Sequence, residues 1–236
     1  MLKMIVSDVD GTLLNKGEEN IRPELLNLIE NLKQKGVVFA VASGRHLSEL
    51  KRIFNNMRDI YYIASDGGTI EYNDDIIYYK PIDDYIIEKY KEKDYIFHCS
   101  KYVYYGGSNN EIKNILENNY KEAFKDNYKT ANIIKIVKYG CGFSESPPCT
   151  YEIYKDKDWR EWIKNGVSKG NAVAFIQNRE NVKVMETAAF GDNFNDMSML
   201  RVAGDKYCKK ESPAQVRMMC KKFFDKIEDE LLKIGG

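Results

Sequence analysis

Two aspartates, Asp8 and Asp10, stand two residues apart at the end of the short apolar run in "IVSDVDGTLL" (5–14), and Gly11-Thr12 follows them. Side chains two apart in a strand share a face. Carboxylates crowded there repel one another and lose solvation. One alternative is a plain Asp-Gly turn. A calcium loop is excluded, because it needs an acid or amide at its fifth position and glycine at its sixth. Thr12 and Leu13 stand there. The chemical alternative pairs a nucleophile with an acid/base. A carboxylate can attack phosphorus, and a second carboxyl can protonate the leaving oxygen and then deprotonate water. A carboxylate meeting a phosphate is repelled by about 1 kcal/mol at 4 Å in water and ~4 at an effective dielectric of 20. A divalent cation reverses that sign, and hard carboxylate oxygens suit Mg²⁺. Such a nucleophile therefore calls for further acids and a cation elsewhere in the chain.

Both are present. "GDNFND" (191–196) puts Asp192 at the end of an apolar run and Asp196 in the first turn of the helix that follows. That stretch also reads as a helix start capped by Asn193 or Asn195. "GVSKG" (166–170) offers Lys169 just before a helical pattern, where a lone lysine is otherwise a solvated charge. "ASGRH" (42–46) ends another apolar run with Ser43 and Gly44. Ser43 can cap the next helix or hold a phosphate there. Arg45 receives no assignment.

The elements that must carry these residues follow from periodicity. "KMIVSD" (3–8), "GVVFAVASG" (36–44) and "VKVMETAAFGD" (182–192) are apolar runs suited to parallel strands covered on both faces. Between them, 22–36 and 46–56 show helical spacing, the first with Leu25, Leu28, Ile29 and Leu32 on one face. The alternation predicts an α/β fold with a Rossmann-like parallel sheet, whose ligands bind at the carboxyl ends of its strands. From 83 to 162 the composition shifts to Tyr, Lys, Asn and Glu. There the pattern predicts a helix at 84–93, strand-like 95–107, a helix near 110–126, strands at 132–140 and 150–155, and a loop at 141–149. This is a smaller α+β insert, so 1–82 and 163–236 form one core. The polar stretch 203–216 leaves its packing open, and 211–236 reads as one or two helices.

Thirty-six basic and 36 acidic residues balance, so bulk charge points to neither a nucleic-acid nor a membrane partner. Five cysteines without a C-x-x-C, and two histidines, argue against a zinc cluster or a disulfide framework. With no signal-like start and no long apolar span, the expected location is the cytoplasm.

Taken together, "DVDGTLL" (8–14), "ASGR" (42–45), "GVSKG" (166–170) and "GDNFNDMSML" (191–200) resemble the four motifs of the haloacid dehalogenase superfamily of phosphohydrolases. The insert between the second and third motifs is similar to the cap of its Cof-type branch. The resemblance implies Asp8 as nucleophile and Asp10 as general acid/base whose backbone carbonyl also reaches Mg²⁺. It implies Ser43, Gly44, Lys169 and Asn195 around the phosphoryl group, and Asp8, Asp10, Asp192 and Asp196 around the metal. The implied substrate is a small phosphorylated metabolite, hydrolysed through an aspartyl-phosphate. A phosphosugar mutase or other phosphotransferase, and a non-catalytic Mg²⁺/phosphate-binding module, are the alternatives. Asp66 in "ASDGGTI" (64–70) departs from the Asn common in that branch.

Overall fold

The structure, a computed structural model, describes residues 2–15, 17–91, 93–120, 124–125, 132–140, 146–155 and 158–235. Cys141, with the start of the 141–149 loop, lies outside them.

The large sheet is built around β1 (Met4–Asp8), every residue of which is buried. Parallel neighbours flank it, β2 (Val38–Ala42) on one side and β12 (Thr187–Phe190) on the other. Beyond β2 lie β3 (Tyr61–Ala64), β4 (Thr69–Tyr72) and β5 (Asp75–Tyr79); beyond β12 lie β13 (Asp205–Lys209) and β14 (Lys222–Phe224). The chain thus winds outward from β1 in both directions, and the loops after β1 and β12 diverge at the switch point between them.

Both faces of this sheet are covered. Ile5 points into a core with Leu25, Ile29 and Leu32 of α1 (Pro23–Gln34), Leu50 of α2 (Leu47–Ile53) and Leu231 of α8 (Ile227–Gly235). Met4 and Val6 point the other way, toward Val173 and Ile176 of α5 (Lys169–Arg179) and Leu200 of α6 (Met197–Arg201). This two-sided burial is why the strands read as unbroken apolar runs.

The smaller sheet has the order β10 (Thr150–Lys155), β11 (Trp159–Lys164), β9 (Lys135–Tyr139), β6 (Ile96–His98), β7 (Val103–Tyr105), β8 (Phe124–Lys125). Its helices α3 (Asp84–Tyr90) and α4 (Asn110–Tyr120) pack on opposite faces, Ile86 and Ile87 beside Phe97 and Trp162, Ile112 and Leu116 beside Ile96 and Val137. Register His98↔Lys135 and Ile96↔Val137↔Glu161 sets His98, Lys135 and Glu161 on one face. No helix among the described residues is long and apolar enough to cross a membrane.

Several sequence-based expectations need correction. The strand-like 95–107 stretch resolves into a hairpin of two strands, β6 and β7. The predicted 110–126 helix ends at Tyr120, and Phe124–Lys125 pairs with β7 as a strand; 121–123 and 126 lie outside the described residues. At the C-terminus a third element, β14, stands between α7 (Ala214–Arg217) and α8. Its Lys-Phe-Phe is too short for periodicity to classify. The polar 205–209 stretch is strand β13, anchored by Tyr207 stacked on Phe190 at 4.3 Å.

Candidate active site

The carboxyl ends of β1, β2 and β12 deliver their loops to one edge of the large sheet. Asp8 lies level with Ala42, so Ser43 follows beside it, and Asp192 comes two residues after Phe190. The turn after Asp8 is tied by the Leu14 N–H donating to the Val9 carbonyl, with Val9, Leu13 and Leu14 buried beneath it. Gly11 sits at φ +87°, and a Cβ there would lie 2.4 Å from Asp192 Oδ2. Glycine is therefore required for the two acidic loops to meet.

Lys169 opens α5, whose cap Ser168 accepts from the Asn171 N–H. Its ammonium donates to Asp8 Oδ1 at 2.6 Å and Asp196 Oδ1 at 2.7 Å. All three side chains are nearly inaccessible, at 1% for Lys169, 6% for Asp8 and 0% for Asp196. The other oxygen of Asp196 accepts the Asp192 and Asn193 N–H groups, both at 3.0 Å. Asp196 thereby fixes both Lys169 and the Asp192 loop, while Asn193 caps the 3-10 turn that follows.

Asp8, Asp192 and Asp196 each present an oxygen within 4.8 Å of the others. Burial raises the Asp8 carboxyl well above the usual range, against the pull of Lys169 and with a further push from Asp196. Burial and Asp196 push Asp192 up to about 6. Lys169 stays protonated: burial opposes its charge, but Asp196 and Asp8 outweigh it. The cluster is thus short of positive charge even with Lys169 in place. Hard oxygen donors with a deficit of cation fit a divalent ion such as Mg²⁺.

Asp10 turns away from this cluster. It is half exposed and receives Arg45 through Nε at 2.9 Å and Nη2 at 2.6 Å. The Ser43 hydroxyl donates to Asp10 Oδ2 at 3.4 Å and accepts the Arg45 N–H. Ser43 does not cap α2; His46 does, accepting from the Ser48 N–H. Gly44 lies over Asp66, where a Cβ would stand 3.0 Å from Oδ2. Asn195 is exposed and reaches Asp66 Oδ1 at 3.5 Å.

Asp66 has φ +55°, a left-handed conformation that Asn and Asp tolerate best. Lys135 of the smaller sheet makes the carboxylate useful there. Its fully buried ammonium donates to Asp66 Oδ2 (3.0 Å), the Gly44 carbonyl (2.7 Å) and Glu161 Oε2 (2.6 Å). Burial raises the Asp66 carboxyl, but Lys135 and Lys169 outweigh it and hold it below its ordinary value. Arg45 and Lys135 are the site residues that sequence reasoning missed. For Lys135 the available signal was a charge in the middle of the apolar run "IIKIV" (133–137).

The sequence-predicted residues Asp8, Ser43, Gly44, Lys169, Asp192, Asn195 and Asp196 thus converge on one strand-end cleft, with Asp10 at its rim. Comparisons with known proteins place the whole chain in a family. The family model described as haloacid dehalogenase-like hydrolase matches residues 5–230. A Buchnera aphidicola (subsp. Acyrthosiphon pisum) protein named as a "Putative phosphatase" is 28% identical over 241 residues, covering 92% of this chain and 88% of that relative. A solved structure from Eubacterium rectale superposes with a TM-score of 0.86 at 25% identity, over 99% of both chains. A haloacid dehalogenase-like hydrolase from Bacteroides thetaiotaomicron gives 0.82 at 17% identity, over 99% of this chain and 100% of that one. The chain belongs to the haloacid dehalogenase-like hydrolases.

Proposed function

We propose that this hydrolase is a Mg²⁺-dependent phosphatase acting on a small phosphorylated metabolite through an aspartyl-phosphate on Asp8. The observation that carries the reading is Lys169 bonded to both Asp8 and Asp196, with Asp192 beside them. A buried nucleophile, a fixed cation for phosphoryl oxygens and an acidic cluster that includes the nucleophile are the parts that phosphoryl transfer requires.

In this scheme an Asp8 oxygen attacks phosphorus and the ester P–O bond breaks. Asp10, released from Arg45 and having taken up a proton from solvent, gives it to the leaving oxygen. Asp10 then takes a proton from water as that water attacks phosphorus, which frees inorganic phosphate and restores the Asp8 carboxylate. Lys169, the Ser43 hydroxyl, the Gly44 segment and Asn195 would hold phosphoryl oxygens. Asp8, the Asp10 carbonyl and Asp192 would hold Mg²⁺, with Asp196 supporting the ion through Asp192 and fixing Lys169. When bound, the ion would neutralise the repulsion between Asp8 and the incoming phosphate. The insert that carries the smaller sheet, through Lys164 at the end of β11, would act as the cap that excludes bulk water.

The test is phosphate release from p-nitrophenyl phosphate and a panel of phosphorylated metabolites. Release that stops in EDTA and returns with Mg²⁺ is expected. Turnover that survives EDTA would contradict the metal assignment, and isomer formation without phosphate release would favour a mutase.

A further inference from the structure

Both histidines of the chain stand side by side on the insert-facing flank of the active-site cavity, which measures about 640 Å³. Their rings meet edge to face at 5.4 Å. His46 is fully engaged: Nδ1 accepts from the Ser48 N–H, and Nε2 lies 2.9 Å from the Cys99 carbonyl, which fixes the proton on Nε2. His98, at the end of β6, is only 2% exposed, yet neither of its ring nitrogens has a hydrogen-bond partner. It lines the same cavity as Asp8.

An unpaired buried polar group costs about 1–3 kcal/mol, and because both nitrogens are closed to solvent in this conformation, a ligand would reach them once the ring turns toward the cavity it lines. The imidazole is neutral, because burial and the nearby His46 and Lys135 hold its pKa well below the usual histidine value. A neutral imidazole offers one donor and one acceptor. A hydroxyl can meet either, whereas an anion can meet only the donor. Glu49 and Glu161 also line this cavity, each paired with a cation, Arg45 and Lys135.

We propose that His98 is a specificity-determining residue that hydrogen-bonds a hydroxyl of the leaving group. This rests on the phosphatase reading, with the phosphoryl end at Asp8. The residue comes from the insert, so it selects the leaving group and has no part in the phosphoryl chemistry.

The test compares kcat/KM for glucose 6-phosphate, ribose 5-phosphate and glycerol 2-phosphate with that for butyl phosphate, whose leaving group bears no further hydroxyl. In the wild-type protein at least one hydroxyl-bearing ester is expected to exceed butyl phosphate by about tenfold or more. His98→Phe is expected to shrink that ratio about tenfold, and His98→Gln, which keeps a donor and an acceptor, to retain part of it. In Asp8→Asn protein, which leaves position 98 intact, the imidazole ¹⁵N signals of His98 should move on adding the preferred ester and not on adding butyl phosphate. A wild-type ratio near one, a ratio unchanged in His98→Phe, or imidazole signals that do not move overturns this inference and leaves the phosphatase reading standing. Wild-type protein that releases phosphate from none of these esters, nor from p-nitrophenyl phosphate, overturns the phosphatase reading and this inference with it.

Discussion

Replacing Lys135 by methionine keeps the length of the side chain and removes its charge. The ammonium is fully buried and uses all three of its protons, on Asp66, Glu161 and the Gly44 carbonyl. Breaking a buried pair from one side typically costs about 3–5 kcal/mol, because the partner charge stays behind. Glu161 keeps the Trp159 indole N–H as a donor, and Asp66 keeps a long contact to Asn195. We therefore place the loss near the bottom of that range, about 3 kcal/mol. For a chain of this size that is a fall of roughly 6–12 °C in Tm. Asp66→Asn suits the left-handed backbone and leaves Lys135 its bond to Glu161, so alone it should cost about 1–2 kcal/mol. Adding Asp66→Asn to Lys135→Met removes the stranded carboxylate, so the double variant should be more stable than additivity predicts by at least about 1 kcal/mol. Denaturation of all four proteins measures this cycle. The Asp66 pKa is depressed from 3.8. Its contribution is therefore complete above that value and disappears as pH falls through the lower folded-state value, taking the coupling with it. Additive single variants, or Lys135→Met within about 0.5 kcal/mol of wild type, would refute the reasoning.

Further outcomes follow from the same geometry. Asp8→Asn should abolish turnover yet leave the metal-free protein at least as stable as wild type by thermal melting, since a carboxyl with a raised pKa costs stability when ionised at neutral pH. Lys169→Met should lower kcat/KM by about 10² or more; a loss under tenfold, about 1.4 kcal/mol, would reduce it to a packing residue. Gly11→Ala puts a methyl group against Asp192 Oδ2 and should weaken Mg²⁺ binding by at least about tenfold, measured by calorimetry. Asp192, near 6, and Asp8, whose carboxyl is also raised, must lose their protons to bind a cation, so Mg²⁺ affinity should fall as pH drops through about 6, by up to about tenfold per unit for each carboxyl protonated. An unchanged affinity at about pH 5 would remove Asp192 from the ligand set.

Why some parts of the molecule were readable in the sequence and others were not has a physical basis. Strand β1 and helix α1 announce themselves because burial on two faces, or on one stripe, leaves a strong periodic record. Asp8, Ser43, Lys169 and Asp192 were legible because each follows such an element at a strand end or opens a helix. The hairpin β4–β5 and strands β8 and β14 were not, being short or edge elements whose pairing is set by distant partners. Lys135 and His98 could not be assigned for a different reason. A polar residue in an apolar strand acquires meaning only when the facing surface is known, and here that surface comes from the other sheet. The same holds for Asp66, whose departure from asparagine gains its explanation from an ammonium 69 residues away.

The central claim is that Asp8 carries the phosphoryl group in transit. Single-turnover reaction with the best ester, acid quench and borohydride reduction would convert an acyl phosphate at that position to homoserine, which peptide mass spectrometry reads directly. We predict homoserine at position 8, absent when Asp8 is replaced by Asn or when substrate is withheld. Phosphate release at an undiminished rate with Asp8 recovered only as aspartate would contradict the account.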